Sequence, residues 1–188
     1  MKRSSNTRIK LGAEELRFKT PSPEELEKVK MSRREIYIVC DNVLDTYNIG
    51  AIFRLADAVG AKRVYLCGGS ETPPNSRIQK ASVGTWQWVE WEYNNFALDA
   101  LDALKTQIPD LKTVAIELDD RAISYDEYDY TLPVALVVGH ESDGVSRDVM
   151  DKCDTIVQLP MLGVNKSLNV MVSLGIVLYE ALEKNKFK

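Results

Sequence analysis

The sequence is poor in the residues that hold small secreted or metal-bound proteins together. It contains three cysteines and one histidine in 188 residues, and its cysteines are far apart and form no CxxC pair. This pattern argues against a disulfide framework and against a clustered zinc site. The chain is long enough to bury a core without either. We therefore expect one domain in a reducing, cytoplasmic setting, with no bound metal.

Long apolar runs and phosphate-binding motifs are missing as well. The longest uncharged apolar stretch, residues 167–179, is too short to cross a bilayer, and the N-terminus MKRSSNTRIK lacks the apolar core of a signal peptide. We expect neither membrane insertion nor secretion. Neither GxGxxG nor GxxxxGK[S/T] occurs in the sequence, which argues against a generic nucleotide-binding α/β protein.

Positive charge is concentrated at the start of the chain. The net charge is -4, but residues 1–34 carry ten Lys or Arg against five Glu, which leaves -9 for the remainder. A basic N-terminal arm, residues 1–35, thus precedes an acidic body, residues 36–188. A solvated tail and an RNA-contacting arm both fit this pattern. Prolines and charges in residues 20–25 predict a linker, and the arm is too short for a separate globular RNA-binding domain.

Short β-rich apolar runs alternate with segments of helical spacing. The predicted strands are residues 36–40, 64–67, 114–118, 134–139 and 155–159. The predicted helices are residues 49–59, 96–105, 146–152 and 168–184. Continuously apolar strands that alternate with helices predict an α/β fold, with a mainly parallel sheet and helices on both faces. Ligands of such sheets bind beyond the carboxyl ends of the strands.

One polar loop leads into an amphipathic helix within residues 41–60. Asn48 lies where a helix N-cap is expected, and a cap alone would explain an Asn there. Arg54 is the only cation of this segment. Both a surface or ion-pair role and a functional role remain open for it.

Two further segments begin with a buried strand. Residues 137–145, VVGHESDGV, contain glycines that let the backbone turn sharply or approach a ligand, and His140 fits a turn residue better than a general base. Residues 156–180 contain Ser167, a predicted N-cap. Asn169 follows it, and an amide at a buried-looking helix start requires a polar partner.

In order and spacing, three motifs resemble motifs 1, 2 and 3 of the SpoU (TrmH-like) branch of the SPOUT RNA methyltransferases. They are Asn48-x5-Arg54, Gly139-x-Glu141-x2-Gly144 and residues 159–170, LPMLGVNKSLNV. Residues 80–88, KASVGTWQW, are similar to the middle segment of that family, so the resemblance covers residues 36–182. Thr46 stands where a proline is usual, and Met171 where a serine is usual.

The resemblance implies transfer of a methyl group from S-adenosylmethionine to a ribose 2′-hydroxyl of RNA. It also implies a homodimer and a C-terminal deep trefoil knot (SPOUT). We expect tRNA as the substrate, with rRNA as the alternative. A non-catalytic RNA-binding relative is the alternative from another class, although Asn48, Arg54 and Asn169 are all present. The resemblance places these residues against the cofactor: Glu117, Leu118, Gly139, Glu141, Leu159, Met161, Ser167 and Leu168.

The resemblance assigns catalysis to Arg54, Asn48, Glu141, Ser167 and Asn169. The 2′-hydroxyl must lose a proton and be oriented toward the methyl donor. Because an arginine has a pKa of about 12.5 or more, its neutral form is rare and it is a poor base. We therefore expect Arg54 to contact the hydroxyl and the adjacent phosphate, with its guanidinium held by the other four residues. The expected contacts to RNA phosphates are Arg8, Lys10, Arg33, Arg34, Arg77 and Lys80.

Overall fold

The computed structural model describes residues 21–185, along which strands and helices alternate. The strands are β1 (Arg34–Asp41), β2 (Ala61–Cys67), β3 (Glu90–Asn94), β4 (Lys112–Ile116), β5 (Ile123–Ser124), β6 (Val134–Gly139) and β7 (Thr155–Gln158). The helices are α1 (Pro23–Met31), α2 (Thr46–Ala58), α3 (Ser76–Ser82), α4 (Ala97–Gln107), α5 (Arg147–Lys152) and α6 (Val170–Lys184). All five predicted strands and all four predicted helices are present.

The seven strands form one parallel sheet in the order β3-β2-β1-β6-β4-β7-β5. β1 and β6 lie at its centre, where Ile38 pairs with Val64 on one side and with Leu136 on the other. Because every strand runs the same way, the carboxyl ends of all seven lie at one edge, which we call the carboxyl edge. The predicted parallel sheet is therefore confirmed.

Helices cover both faces of the sheet. One face packs against α2 and α6, where Phe53 and Leu178 are fully buried. The other face packs against α4 and α5, through Leu101 and Val149. Side chains of a strand alternate between faces, so continuously apolar strands such as β6 supply both cores. The prediction of helices on both faces is confirmed.

Helix α1 corrects the prediction of a linker at residues 20–25. Ser22 Oγ accepts the Glu25 N–H at 3.2 Å, and the Glu25 carboxylate accepts the Ser22 N–H at 2.8 Å. This capping box, with Pro23 at the first helical position, starts a helix. The same prolines and acidic residues that resemble a linker therefore serve as a helix start.

Arg33 is part of the folded body, and the expectation that it contacts RNA phosphate is wrong. Its side chain is 2% exposed and forms an ion pair with Asp57 at 3.0 Å. The guanidinium also donates to the carbonyl oxygens of Ala61 at 3.0 Å and Trp88 at 3.4 Å. A buried cation requires such partners. With β1 beginning at Arg34, the body starts before residue 36.

The three cysteines are free thiols. Burial raises the pKa of Cys67 and of Cys153 to about 12, so both thiols stay protonated near neutral pH. Within residues 21–185 no three potential metal ligands come together. No helix in the same range is long and apolar enough to span a membrane.

Candidate functional site

A cleft opens at the carboxyl edge, beyond β4, β6 and β7. All eight residues that the sequence predicts against a cofactor line it: Glu117, Leu118, Gly139, Glu141, Leu159, Met161, Ser167 and Leu168. The lining residues that were not predicted are Ile116, Val138, His140, Ser142, Gly144, Gln158, Val170 and Ser173. Most of these adjoin a predicted position in the chain. Ser173 could have been found from helical spacing, since it lies one turn beyond Val170.

The turn that follows β6, residues 139–144, forms one wall of the cleft. His140 and Gly144 exchange backbone hydrogen bonds at 3.0 and 2.9 Å. A Cβ on Gly139 would lie 2.1 Å from the carbonyl carbon of Gly144, and Gly144 has a φ of +71°. Both positions therefore require glycine, because the space that a side chain would occupy is already filled by the protein.

The Glu117 carboxylate joins two loops of the cleft. One oxygen accepts the Val145 N–H at 2.8 Å, and the other accepts the Leu118 N–H at 2.9 Å. A Cβ on Gly144 would lie 2.1 Å from the first of these oxygens. Glu117 thus holds the loop after β4 against the turn after β6, and its remaining lone pairs are available to a ligand.

His140 is a turn residue, as the sequence predicts. Its Nδ1 accepts the N–H groups of Ser142 at 3.1 Å and Asp143 at 3.2 Å. The Asp143 carboxylate also approaches Nδ1, at 3.4 Å. The ring stabilises the turn that shapes the cleft.

Three side chains, one from each motif, form a continuous hydrogen-bond network beside the cleft. The Asn48 amide donates to Glu141 Oε1 at 2.9 Å, and the Asn169 amide donates to Asn48 Oδ1 at 3.1 Å. Glu141 also accepts the N–H groups of Leu44 at 3.1 Å and Asp45 at 2.9 Å. Because a carboxylate only accepts, the orientation of both amides follows. In the structure, the polar partner that Asn169 requires is the side chain of Asn48.

Burial would raise the pKa of Glu141, but the hydrogen bonds outweigh it. The Asn48 amide and the N–H groups of Asp45 and Leu44 favour the charged form and hold the pKa below its usual value. Glu141 is therefore ionised near neutral pH. With both oxygens occupied by these donors, it positions the loop after β1 and the first turn of α2.

Two predicted helix caps are wrong. Helix α2 is capped by Asp45, which accepts the Tyr47 N–H at 2.8 Å, because the Asn48 side chain is used in the network. Helix α6 is capped by Asn169, which accepts the Met171 N–H at 3.0 Å. Ser167 lies in the exposed loop before it.

The network does not hold Arg54, contrary to expectation. Arg54 is exposed and, within residues 21–185, forms no hydrogen bond or ion pair; the same holds for Ser167. Six positions along a helix turn the side chain by about 600°, so Arg54 points about 120° away from Asn48. Arg54 does not line the cleft either. Its guanidinium is left open to solvent.

The other predicted RNA contacts lie in different places. Arg77 and Lys80 are exposed on α3. This helix packs closely on α2 at Gly50, where an added Cβ would lie only 2.5 Å from the Ala81 Cβ. Arg34 is exposed at the amino end of β1, away from the carboxyl edge. Arg8 and Lys10 lie outside the described residues.

Known proteins resemble this chain in both sequence and fold. The model of the SpoU rRNA Methylase family matches residues 35–179. The tRNA (guanosine(18)-2'-O)-methyltransferase of Aquifex aeolicus (strain VF5) is 33% identical over 164 residues, which are 86% of this chain and 75% of that protein. The crystal structure of the A. aeolicus TrmH/SpoU tRNA modifying enzyme superimposes with a TM-score of 0.77 at 31% identity, covering 87% of this chain and 84% of that one.

A third likeness concerns a cofactor complex. The crystal structure of an AdoMet-bound rRNA methyltransferase from Sinorhizobium meliloti matches with a TM-score of 0.74 at 27% identity. The match covers 85% of this chain and 60% of the S. meliloti chain.

Proposed function

The chain belongs to the SpoU rRNA methylase family, and we infer from its site that it is an S-adenosylmethionine-dependent RNA 2′-O-ribose methyltransferase. The observation that carries this inference is the meeting of all eight expected cofactor residues in one cleft. They come from three separate loops, after β4, after β6 and after β7. No local feature of the chain would bring these loops together without the fold.

The cleft fits a cofactor that is recognised largely by backbone groups. The turn at residues 139–144 lines the cleft, and Gly139 and Gly144 bring no side chain to it. Leu118 and Leu168 are 45% and 44% exposed on two other sides, where they can enclose an apolar part of the ligand. S-adenosylmethionine supplies a methyl group activated by the positive charge on its sulfur. The protein then has to bind it, orient the acceptor and exclude water.

We assign Arg54 to the RNA. Its exposed guanidinium, which has no partner among residues 21–185, can donate to the ribose oxygen and to a neighbouring phosphate. Asn48, Glu141 and Asn169 act on Arg54 indirectly. They fix the first turn of α2, and Arg54 lies further along the same helix. The residues of motif 1 thus divide into a positioning amide and a substrate-contacting cation. Ser167, exposed in the cleft, is free to bind cofactor or RNA.

The proposed homodimer forms through α6. Leu174, Val177 and Leu178 are buried on one side of this helix, while Val172, Ile176 and Tyr179 remain 40%, 38% and 53% exposed. Their spacing of four and three residues places them in one stripe. The loop before α6 exposes more apolar surface, with Leu162 97% exposed and Val164 95% exposed. A continuous apolar surface of this kind favours a second copy of the chain.

A homodimer also offers a partner cleft to Arg54, since Arg54 does not line its own. Two inactive variants test this: Arg54→Ala, with an intact cleft, and Gly139→Ala, with a blocked one. If Arg54 acts across the interface, an equal mixture of re-formed dimers regains about a quarter of the wild-type rate, because half the dimers are hybrid and each has one complete site. No recovery would show that Arg54 serves its own subunit.

The proposed C-terminal knot is supported by the strand order. β4 and β5 are joined directly by residues 117–122, yet β7, which comes later in the chain, lies between them. The Glu117 N–H donates to Val157, and the Tyr125 N–H donates to Gln158, so β7 is bonded on both sides of this connection. Such an insertion is what a chain passed through an earlier loop would produce.

The proposed substrate is tRNA. The 33% identical A. aeolicus relative is named for methylation of guanosine 18 of tRNA, whereas the S. meliloti structure supports rRNA as the alternative. The start of the chain, where positive charge is concentrated, would add phosphate contacts through Arg8 and Lys10 to a body that is acidic overall. A cytoplasmic location agrees with an RNA substrate and with three free thiols.

Calorimetry and methylation mapping test the proposal. Titration of the protein with S-adenosylmethionine, without RNA, should release or absorb heat with one site per chain, because every lining residue belongs to the protein. A flat titration of folded protein at millimolar cofactor would contradict it. Mapping of ribose methylation in tRNA and rRNA, from cells with and without the protein, then separates the two substrates.

A further inference from the structure

An exposed apolar patch lies at the carboxyl edge, on the β1–β2–β3 side of the cleft. It consists of Leu44 after β1, the turn Gly68–Gly69 after β2, Tyr93 near the end of β3, and Phe96 just beyond it. Leu44 is 46% exposed, Tyr93 44% and Phe96 67%. We call these residues the glycine-turn patch. Neither the family motifs nor the cofactor cleft includes them.

The patch is held rigidly around its two glycines. The Tyr93 hydroxyl donates to the Gly68 carbonyl at 2.9 Å, and the Gly68 N–H donates to Asn94 at 3.0 Å. A Cβ on Gly69 would lie 2.9 Å from a methyl carbon of Leu44. Leu44 and Tyr93 therefore approach the turn from two sides, and the bare turn lies between them as a low, preformed surface.

The patch is fixed relative to the catalytic residues. The Leu44 N–H donates to the Glu141 carboxylate, which lines the cofactor cleft and also binds the Asn48 amide. One carboxylate thus sets the position of the patch, the first turn of α2 and the wall of the cleft. A ligand on the patch would therefore lie at a fixed position relative to the cofactor cleft.

Basic side chains flank the same edge. The loop that leaves Gly69 runs into α3, which carries the exposed Arg77 and Lys80. α3 packs on α2 at Gly50, and Arg54 follows one turn later on α2. Three exposed cations on these two touching helices, together with an apolar patch at the strand ends that lead to both helices, match a chain with phosphates along its backbone and flat apolar bases.

We propose that the glycine-turn patch stacks an unpaired nucleobase of the RNA substrate, and so positions the target ribose at the cofactor. This deepens the proposed function and rests on it. RNA is commonly recognised through splayed bases that stack on aromatic side chains. A single base needs only a few side chains, whereas a stable protein interface buries about 800 Å² on each partner. Five residues are too few for a second copy.

RNA affinity of matched variants tests the proposal. The variants are Phe96→Ala and Tyr93→Ala, with Tyr93→Phe retaining the ring and Met31→Ala as the control. Met31 is an exposed apolar residue, 86% exposed, at the end of α1 and before β1. The probe is bulk tRNA from cells that lack the protein. Each Ala variant in the patch should raise the Kd for this RNA about tenfold, the usual scale for one lost base–aromatic stack.

Tyr93→Phe and Met31→Ala should bind the RNA within about threefold of wild type, and every variant should bind S-adenosylmethionine equally. An RNA with an abasic residue at the stacked position should bind wild type and Phe96→Ala alike. Unchanged RNA affinity of both Ala variants overturns the proposal. So does a shift to monomers in sedimentation, which would assign the patch to a second copy. Wild-type protein that fails to methylate any RNA contradicts the proposed function instead.

Discussion

A single methyl group added at residue 139 should block the cofactor cleft. In Gly139→Ala the new Cβ would lie 2.1 Å from the carbonyl carbon of Gly144, and 2.2 Å from its oxygen and from the Val145 nitrogen. Ordinary contacts begin at about 3.4 Å, so the opposing backbone must retreat by about 1.3 Å in an interior that is close-packed. That backbone carries both hydrogen bonds to His140 and the one to Glu117.

The cost follows from what has to move. Overpacking that shifts backbone costs up to about 3 kcal/mol, and for a chain of this size that cost lowers the Tm by about 6–12 °C. The turn also forms a wall of the cleft, so S-adenosylmethionine should bind at least tenfold more weakly, equivalent to about 1.4 kcal/mol. Thermal unfolding and calorimetric titration measure the two effects separately.

Gly163→Ala is the matched control. Gly163 lies in the loop after β7, two residues beyond Met161 of the cleft, and a Cβ placed on it has nothing within 4 Å. This variant should unfold and bind cofactor as wild type does. The steric reasoning would be refuted if Gly139→Ala kept the wild-type Tm and bound cofactor within about threefold of the wild-type Kd.

Three further changes have defined outcomes. Arg54→Ala should lower the methyl-transfer rate more than tenfold, about 1.4 kcal/mol, without changing cofactor affinity, since the side chain is exposed; a residual rate above one tenth contradicts its role. Because the pKa of Glu141 in the folded protein lies below its ordinary value of 4.5, its ionised form stabilises the fold at pH values above 4.5, and this stabilisation is lost as the pH falls through the folded pKa. The free energies of unfolding of wild type and of Glu141→Gln, measured in urea, should therefore converge in acid. A difference between them that stays constant with pH argues against the ionised network. Removing residues 1–19 should reduce the magnitude of the slope of log K for RNA binding against log salt by about 0.7–0.9 per lost phosphate contact. An unchanged slope would show that these residues do not contact RNA phosphates.

The apolar strands could be predicted because their pattern survives in the sequence. β6, VALVVG, lies between β1 and β4 and supplies both cores, so every residue in it is buried. β3, EWEYN, pairs only with β2 at the edge of the sheet and alternates acidic with aromatic residues. β5 has two residues. Such short or edge strands depend on tertiary pairing more than on composition.

The start of α1 does have a signal in the sequence. Ser22 and Glu25 have the spacing of a capping box, and Pro23 is favoured at the first helical position. The burial of Arg33 was not readable. Its partners Asp57, Ala61 and Trp88 lie 24 to 55 positions away, and the surrounding cluster of Lys and Arg favours an exposed site. Composition describes a segment, whereas burial is decided residue by residue.

The candidate site, too, could be predicted from the sequence only in part. In the structure, residues from all three motifs lie near the carboxyl edge, but the bonds between them were not predictable, because Asn48 reaches Glu141 across 93 positions and Asn169 across 121. The helical phase that separates Arg54 from Asn48 was available from their spacing alone.

The separation of Arg54 from the Glu141 carboxylate affects how Arg54 can meet a phosphate. An arginine bound to Glu141 would be neutralised by a carboxylate and would have to leave it before meeting a phosphate. In this structure the carboxylate is occupied by three N–H groups, two from the backbone and one from Asn48. Within residues 21–185 nothing pairs with Arg54, and we therefore propose that its charge is available to the RNA, while the helix that carries it is fixed at its first turn. Only the Arg54 side chain, and not the helix that carries it, then has to be ordered when the substrate binds.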